Sequence, residues 1–216
     1  MQVQRRVGRF WRILTIFLLF WPAALPAQDL SRREHDCALQ KRGLAAGRNR
    51  HLNACVNYGW QLHLQGRNRD AIGILTETAS LVPDDEKPLN ALGVIYLFTG
   101  NYSRAVEANR RALQRQPNNE VAFYNLSLGL WELGRFEEAA RAAREATRLD
   151  STNPHPWVAL AIAEAKAGRP DLAQSAYAQA IRLDRRYRQS PYLARLKRSD
   201  FSDRQIAAAR ALLHNR

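Results

Sequence analysis

No catalytic signature can be found in these 216 residues. A paired-histidine zinc helix, a nucleophile elbow and a glycine-rich phosphate loop are all missing, so hydrolytic, acyl-transfer and nucleotide chemistry have no support in the sequence. The five histidines, His35, His51, His63, His155 and His214, are scattered. His35-Asp36-Cys37 sets a base beside a thiol, but adjacent residues on a helix point apart. An enzymatic role is therefore not expected, and no cofactor is implied. Long apolar runs are scarce too. The one near the N-terminus, Ile13 to Phe20, is short for a membrane span and is followed by Pro22. Cysteine is limited to Cys37 and Cys55.

What is present begins with an address. Arg5, Arg6, Arg9 and Arg12 form a basic start, the apolar run follows, and Leu25-Pro26-Ala27 offers a small residue before a cut. This is the layout of a secretory signal peptide over residues 1–27, leaving Gln28 as the mature N-terminus. It predicts a periplasmic or secreted protein, with an uncleaved membrane anchor as the alternative. No cysteine follows the expected cut, so lipid anchoring has no support. In an exported chain an even cysteine pair reads as a disulfide, here Cys37 to Cys55. Free buried thiols and a metal set with His35 and His51 are the alternatives.

Beyond residue 51 the chain repeats itself every 34 residues. Four units run in phase without insertion: 52–85, 86–119, 120–153 and 154–187. Gly66, Gly100, Gly134 and Gly168 share one position. Ala71, Ala105, Ala139 and Ala173 share a second, and Ala79, Ala112, Ala146 and Ala180 a third. Each unit shows two stretches with apolar residues every three or four positions, hence two helices. The glycine suits a left-handed helix end, and the alanines let neighbouring helices approach closely. Asp84-Asp85, Asn118-Asn119 and Asn153-Pro154 supply stop and start signals between units.

The unit length and this small/large pattern resemble the tetratricopeptide repeat family. The resemblance covers residues 52–187, or 136 of 216. It implies an all-α fold, a right-handed α-solenoid of four helix pairs with a capping helix at each end. Residues 28–51 form the N-terminal cap, where Ser31 and Glu34 have capping-box spacing and Gly47 stops the helix. Residues 188–216 form a basic, irregular linker as far as Asp200 and then a C-terminal capping helix, with Ser202 and Gln205 again at capping-box spacing.

The family's concave groove is lined by the first helix of each unit. Register places Trp60, His63, Asn90, Val94, Phe98, Tyr124, Leu128, Trp131 and Ile162 there, with Tyr124, Leu128 and Trp131 at its centre. Val56, Trp60 and Val121 stand where the acidic-peptide clamp of some relatives carries polar or basic residues, so that ligand class is disfavoured. An apolar, aromatic groove is the character of a protein or peptide binder. An exported scaffold that helps assemble a cell-envelope complex is the function expected from this resemblance.

Charge supplies a rival. The whole chain carries a net +13, and residues 28–216 carry 29 basic against 20 acidic residues. Arg110, Arg111, Arg115, Arg141, Arg144, Arg148 and Arg182 fall on second helices, the outward layer. They predict either a solvated surface or contact with an anionic glycan, lipid or nucleic acid. The export signal disfavours nucleic acid.

Overall fold

The computed structural model describes residues 27–47 and 51–214, and the expected signal peptide falls outside them except for Ala27. Ten α-helices follow in order: α1 (Ala27–Ala45), α2 (Asn53–Leu64), α3 (Asn68–Leu81), α4 (Lys87–Phe98), α5 (Tyr102–Arg115), α6 (Glu120–Glu132), α7 (Phe136–Leu149), α8 (Pro154–Lys166), α9 (Pro170–Leu183) and α10 (Asp203–His214). Two 3-10 stretches, Arg185–Arg188 and Ser190–Ser199, connect α9 to α10. No strand occurs among the described residues.

Each unit is one helix pair, α2/α3 through α8/α9, and each pair packs on the next. First helices also touch one another, α2 to α4, α4 to α6 and α6 to α8, and so form a continuous inner layer. The joints within the pairs are alike. Gly66, Gly100, Gly134 and Gly168 all have φ between 74° and 77°. At each, two amides return to the end of the preceding helix; Gly134 N donates to Trp131 O and Arg135 N to Leu130 O. This pair of hydrogen bonds satisfies carbonyls the helix would otherwise leave open, in a conformation that is cheap only for glycine.

The alanine columns are buried as their spacing predicts, with Ala71, Ala105, Ala139 and Ala173 all 0% exposed. In the first two units the first helix carries a glycine where it crosses the second, with Gly59 facing Leu75 and Gly93 facing Asn109. A Cβ on Gly93 would lie 2.5 Å from Asn109 Nδ2, and one on Gly59 would lie 2.6 Å from Leu75 Cγ. The helices of these two units are that close because the first helix carries no side chain at the crossing. Starts between units are capped by side chains. Asn119 Oδ1 accepts from Ala122 N at 2.9 Å, Asn153 Oδ1 from His155 N at 3.0 Å, and Asp85 Oδ1 from Lys87 N at 3.0 Å.

The N-terminal cap differs in one detail from the expected one. Ser31 is not a helix cap, because α1 begins at Ala27 and runs through it. The expected stop is present, with Gly47 at φ 69°. α1 packs along α2 and is tied to it at several points. Cys37 and Cys55 form a disulfide. Gln40 Oε1 accepts from Ala54 N at 2.7 Å, which serves an amide that Leu52, the residue before α2, has no side chain to serve. Lys41 Nζ reaches Glu77 of α3 at 2.6 Å.

The C-terminal region departs further from expectation. Residues 190–199 are an ordered 3-10 stretch rather than an irregular linker, with Leu193 and Leu196 buried. The capping box before α10 is formed in both directions, Ser202 N to Gln205 Oε1 at 2.9 Å and Gln205 N to Ser202 Oγ at 3.1 Å. The chain then enters the concave side, so the last helix does more than cover the end of the array.

Candidate functional site

The inner layer is divided into a covered half and an open half. Over α6 and α8 lies the segment from Ser199 to α10. Tyr124 Oη donates to Ser199 O, and Phe201, 1% exposed, packs with its ring centroid 6.1 Å from that of Tyr124. Gln205 Nε2 donates to Leu128 O at 2.9 Å. Ser202 Oγ donates to Glu132 Oε1 at 2.5 Å, and Arg204 reaches Glu132 Oε2 at 3.1 Å. The Arg204 guanidinium also sits 5.6 Å from the Trp131 ring centre. A cleft of about 570 Å³ remains beside Trp131, Ile162 and Arg204.

These contacts correct the expected centre of the groove. Tyr124, Leu128, Trp131 and Ile162 are 8%, 1%, 4% and 1% exposed, and all four belong to the hydrophobic core. They line the concave face as the repeat register requires, but the chain's own C-terminal segment occupies that face. Burial has electrostatic consequences here. The Tyr124 phenol is held well above its usual range by desolvation, and His155, whose Nε2 lies 3.1 Å from Ser199 Oγ, is held below its usual value, again chiefly by burial.

Asp200 is the costly residue of this segment. It is non-glycine with φ 64°, and burial raises its carboxyl to about 6. A carboxylate whose folded pKa exceeds its unfolded value penalises the folded state once both forms are ionised. The penalty is complete above about pH 6 and is relieved as pH falls towards the unfolded pKa, about 4. Asp200→Asn removes the charge and suits a left-handed backbone. The expected result is a gain of about 3 kcal/mol at pH 7 that falls away towards pH 4, read from the wild-type and variant denaturant unfolding curves. A constant difference across that range would show that burial of the carboxylate is not the cause.

The open half lies over α2 and α4. Trp60 is 36% exposed and Phe98 65%, with His63 half-buried between them. The His63 ring centre is 5.2 Å from Trp60 and 4.9 Å from Phe98, the latter edge-on. Asn68 Oδ1, 2.7 Å from His63 Nδ1, fixes the imidazole in this position. Val94 and Asn90 are half-buried on the same helix as Phe98. Lys87 Nζ bridges to Asn53 Oδ1 at 3.1 Å, across equivalent positions of two units. Leu64, 54% exposed, holds in the first unit the position Phe98 holds in the second. The sequence reading missed it, although its repeat equivalence to Phe98 is a signal that could have found it.

The Cys37–Cys55 bond leaves no thiolate for a metal set with His35 and His51, and His51 Nδ1 lies 3.1 Å from Asp85 Oδ2. Several outward arginines are engaged within the fold. Arg110 pairs with Glu138 at 3.1 Å, Arg148 with Glu145 at 2.8 Å, and Arg115 donates to Pro83 O at 2.6 Å. Arg144, with Arg169, pairs with Glu164, a carboxylate only 1% exposed. Arg182 contacts the Gln179 side chain. Among the described residues no helix is long and apolar enough to cross a membrane.

The tetratricopeptide repeat family model matches residues 65–120 and 124–191. The protein y4yS of Sinorhizobium fredii (strain NBRC 101917 / NGR234) is 30% identical over 102 residues, 46% of this chain and 56% of y4yS, so the match spans little more than half of that relative. Among solved structures, a MamA crystal structure aligns with TM-score 0.60 at 19% identity over 75% of this chain and 96% of its own. The structure titled MamA MSR-1 C2 aligns with TM-score 0.57 at 21% identity over 72% and 98%. At this identity the MamA likeness speaks to the fold. With over half of its residues matched by the family model, the chain belongs to the tetratricopeptide repeat family, whose members are protein-interaction scaffolds.

Proposed function

We propose that this chain is an exported, non-catalytic scaffold that holds a protein or peptide partner on the open half of its groove and thereby helps assemble a cell-envelope complex. The observation that carries this reading is the Trp60–His63–Phe98 cluster. Large apolar side chains that remain exposed on a concave surface are the usual anchors of a partner. The covered half narrows the choice, because Tyr124, Leu128, Trp131 and Ile162 already have an occupant. Two features support export: the signal-like N-terminus and a buried disulfide, a bond that persists in oxidising compartments.

The test is Phe98→Glu in the native host. Phe98 is largely exposed, so helical circular dichroism and melting should stay near those of the wild type. Recovery of the co-purifying partner should fall about tenfold or more, the loss typical of an anchor residue. An unchanged partner set would remove this surface from the reading. N-terminal sequencing of the mature protein tests export separately. Gln28 at the N-terminus is the expected result, and an intact Met1 would favour a membrane-anchored form.

A further inference from the structure

The positive charge is concentrated at the C-terminal end of the array. Residues 182–198 carry seven basic residues and one acid, Asp184, a net +6 within a net +9 for residues 28–216. All seven cations are exposed. Asp184 is spent locally. Its carboxylate takes three contacts of 2.9 to 3.1 Å from Arg186 and accepts from Tyr192 Oη at 3.1 Å. Arg182, Arg185 and Arg188 line a cleft of about 300 Å³, with Ala178 and Ile181 as its apolar walls. No carboxylate among the described residues pairs with any of these three. Helix-end electrostatics account for part of the arrangement, since cations favour the C-terminus of α9. They do not account for three guanidiniums around one cleft with no carboxylate to balance them.

We propose that the Arg182–Arg185–Arg188 cleft is a site for the phosphate of an anionic phospholipid headgroup and seats this end of the solenoid on a membrane surface. Guanidinium forks match phosphate oxygens in pairs, which favours arginine over lysine for this task. Exposed Leu183 (38%) and Pro191 lie in the same stretch and give it apolar contact at the bilayer interface. Nucleic acid fits less well. The partly exposed aromatic of the cluster, Tyr192, is already engaged by the chain's own guanidiniums, Arg186 at 4.7 Å and Arg195 at 5.4 Å from its ring centre, where base stacking calls for an open ring.

The test uses the full-length protein purified from its host, with sedimentation on phosphatidylcholine vesicles made with and without phosphatidylglycerol. Phosphatidylglycerol should raise the bound fraction, and about 0.5 M salt should abolish that increment. Arg182→Gln, Arg185→Gln and Arg188→Gln together should weaken it about 100-fold, at the usual contribution of a basic residue near an anionic surface. Arg69→Gln, Arg111→Gln and Arg141→Gln remove the same net charge from exposed positions elsewhere and should leave binding near that of the wild type. Equal losses in the two triple variants would overturn the site, because only net charge would then matter. Binding indifferent to phosphatidylglycerol would overturn it as well. Tighter binding of an oligonucleotide than of vesicles at matched salt, or of inorganic phosphate without vesicles, would reassign the cleft and overturn the membrane proposal.

Discussion

Phe201→Ala should destabilise the folded chain by about 3 to 5 kcal/mol, the range for emptying a buried aromatic site. Phe201 is 1% exposed and packs beside Tyr124, at the point where the C-terminal segment turns into the concave face. Its loss should be felt well beyond its own contacts. Tyr187, Leu193, Leu196, Phe201, Ile206 and Leu212 are all buried, and together they hold residues 187–212 in place. At about 1.5 to 3 kcal/mol for each buried large apolar side chain, the gross stabilisation is on the order of 10 kcal/mol before ordering costs. A free peptide with micromolar affinity gains only about 8 kcal/mol, and it competes against a segment that is already tethered. The segment is therefore expected to act as a structural occupant that a partner does not displace. The measurement is a denaturant melt with an apolar dye present. The expected result is an earlier transition with dye binding, as Tyr124, Leu128, Trp131 and Ile162 lose their cover. A shift below about 1 kcal/mol, within the range of an ordinary surface substitution, would show the segment to be loosely held and would return that half of the groove to partners.

This segment also marks the boundary of what was legible in the sequence. Local and periodic features could be read directly. The positive φ of Gly66, Gly100, Gly134 and Gly168, the burial of the alanine columns, the caps at Asn119 and Asn153, and the Ser202/Gln205 box all follow from residues within one helical turn or one repeat period. The covering of Tyr124 and Leu128 does not. Their contacts to Ser199 and Gln205 span 75 and 77 residues, and residues 188–202 carry neither the repeat period nor a helical one. A 34-residue ruler places Tyr124 and Trp131 on the concave face correctly but is silent about what else lies there. Ser31 illustrates the converse. Its spacing to Glu34 suits a cap, yet a cap requires the helix to begin there, and α1 begins one turn earlier. Glu164 is a third case. Its repeat position is apolar in the other units, and the two arginines that make it tolerable come from α7 and from the turn after α8.

Breaking the Cys37–Cys55 bond should lower stability by about 3 kcal/mol in the chain-entropy account, given a separation of 18 residues. The loss should be confined to one end. In a solenoid each unit depends on its neighbours, so damage propagates only as far as the interfaces it weakens. α1 holds α2 through the disulfide and through the Gln40 bond to Ala54 N. Freeing α1 would uncover the apolar face of the first unit, where Leu52 and Leu62 are buried, while α6 to α10 keep their own core. Cys37→Ala with Cys55→Ala is the suitable variant, since both sulfurs are buried and serine would place hydroxyls there. Hydrogen exchange should show lost protection in α1 and α2 and little change in α8 and α9. The consequence for function is direct. Trp60 and His63 stand on α2, so a loosened first unit should misplace the aromatic cluster even though Phe98, on α4, is untouched. Partner recovery from reduced protein should therefore fall together with protection in α2. If protection falls and recovery does not, Phe98 and α4 suffice and Trp60 is not an anchor.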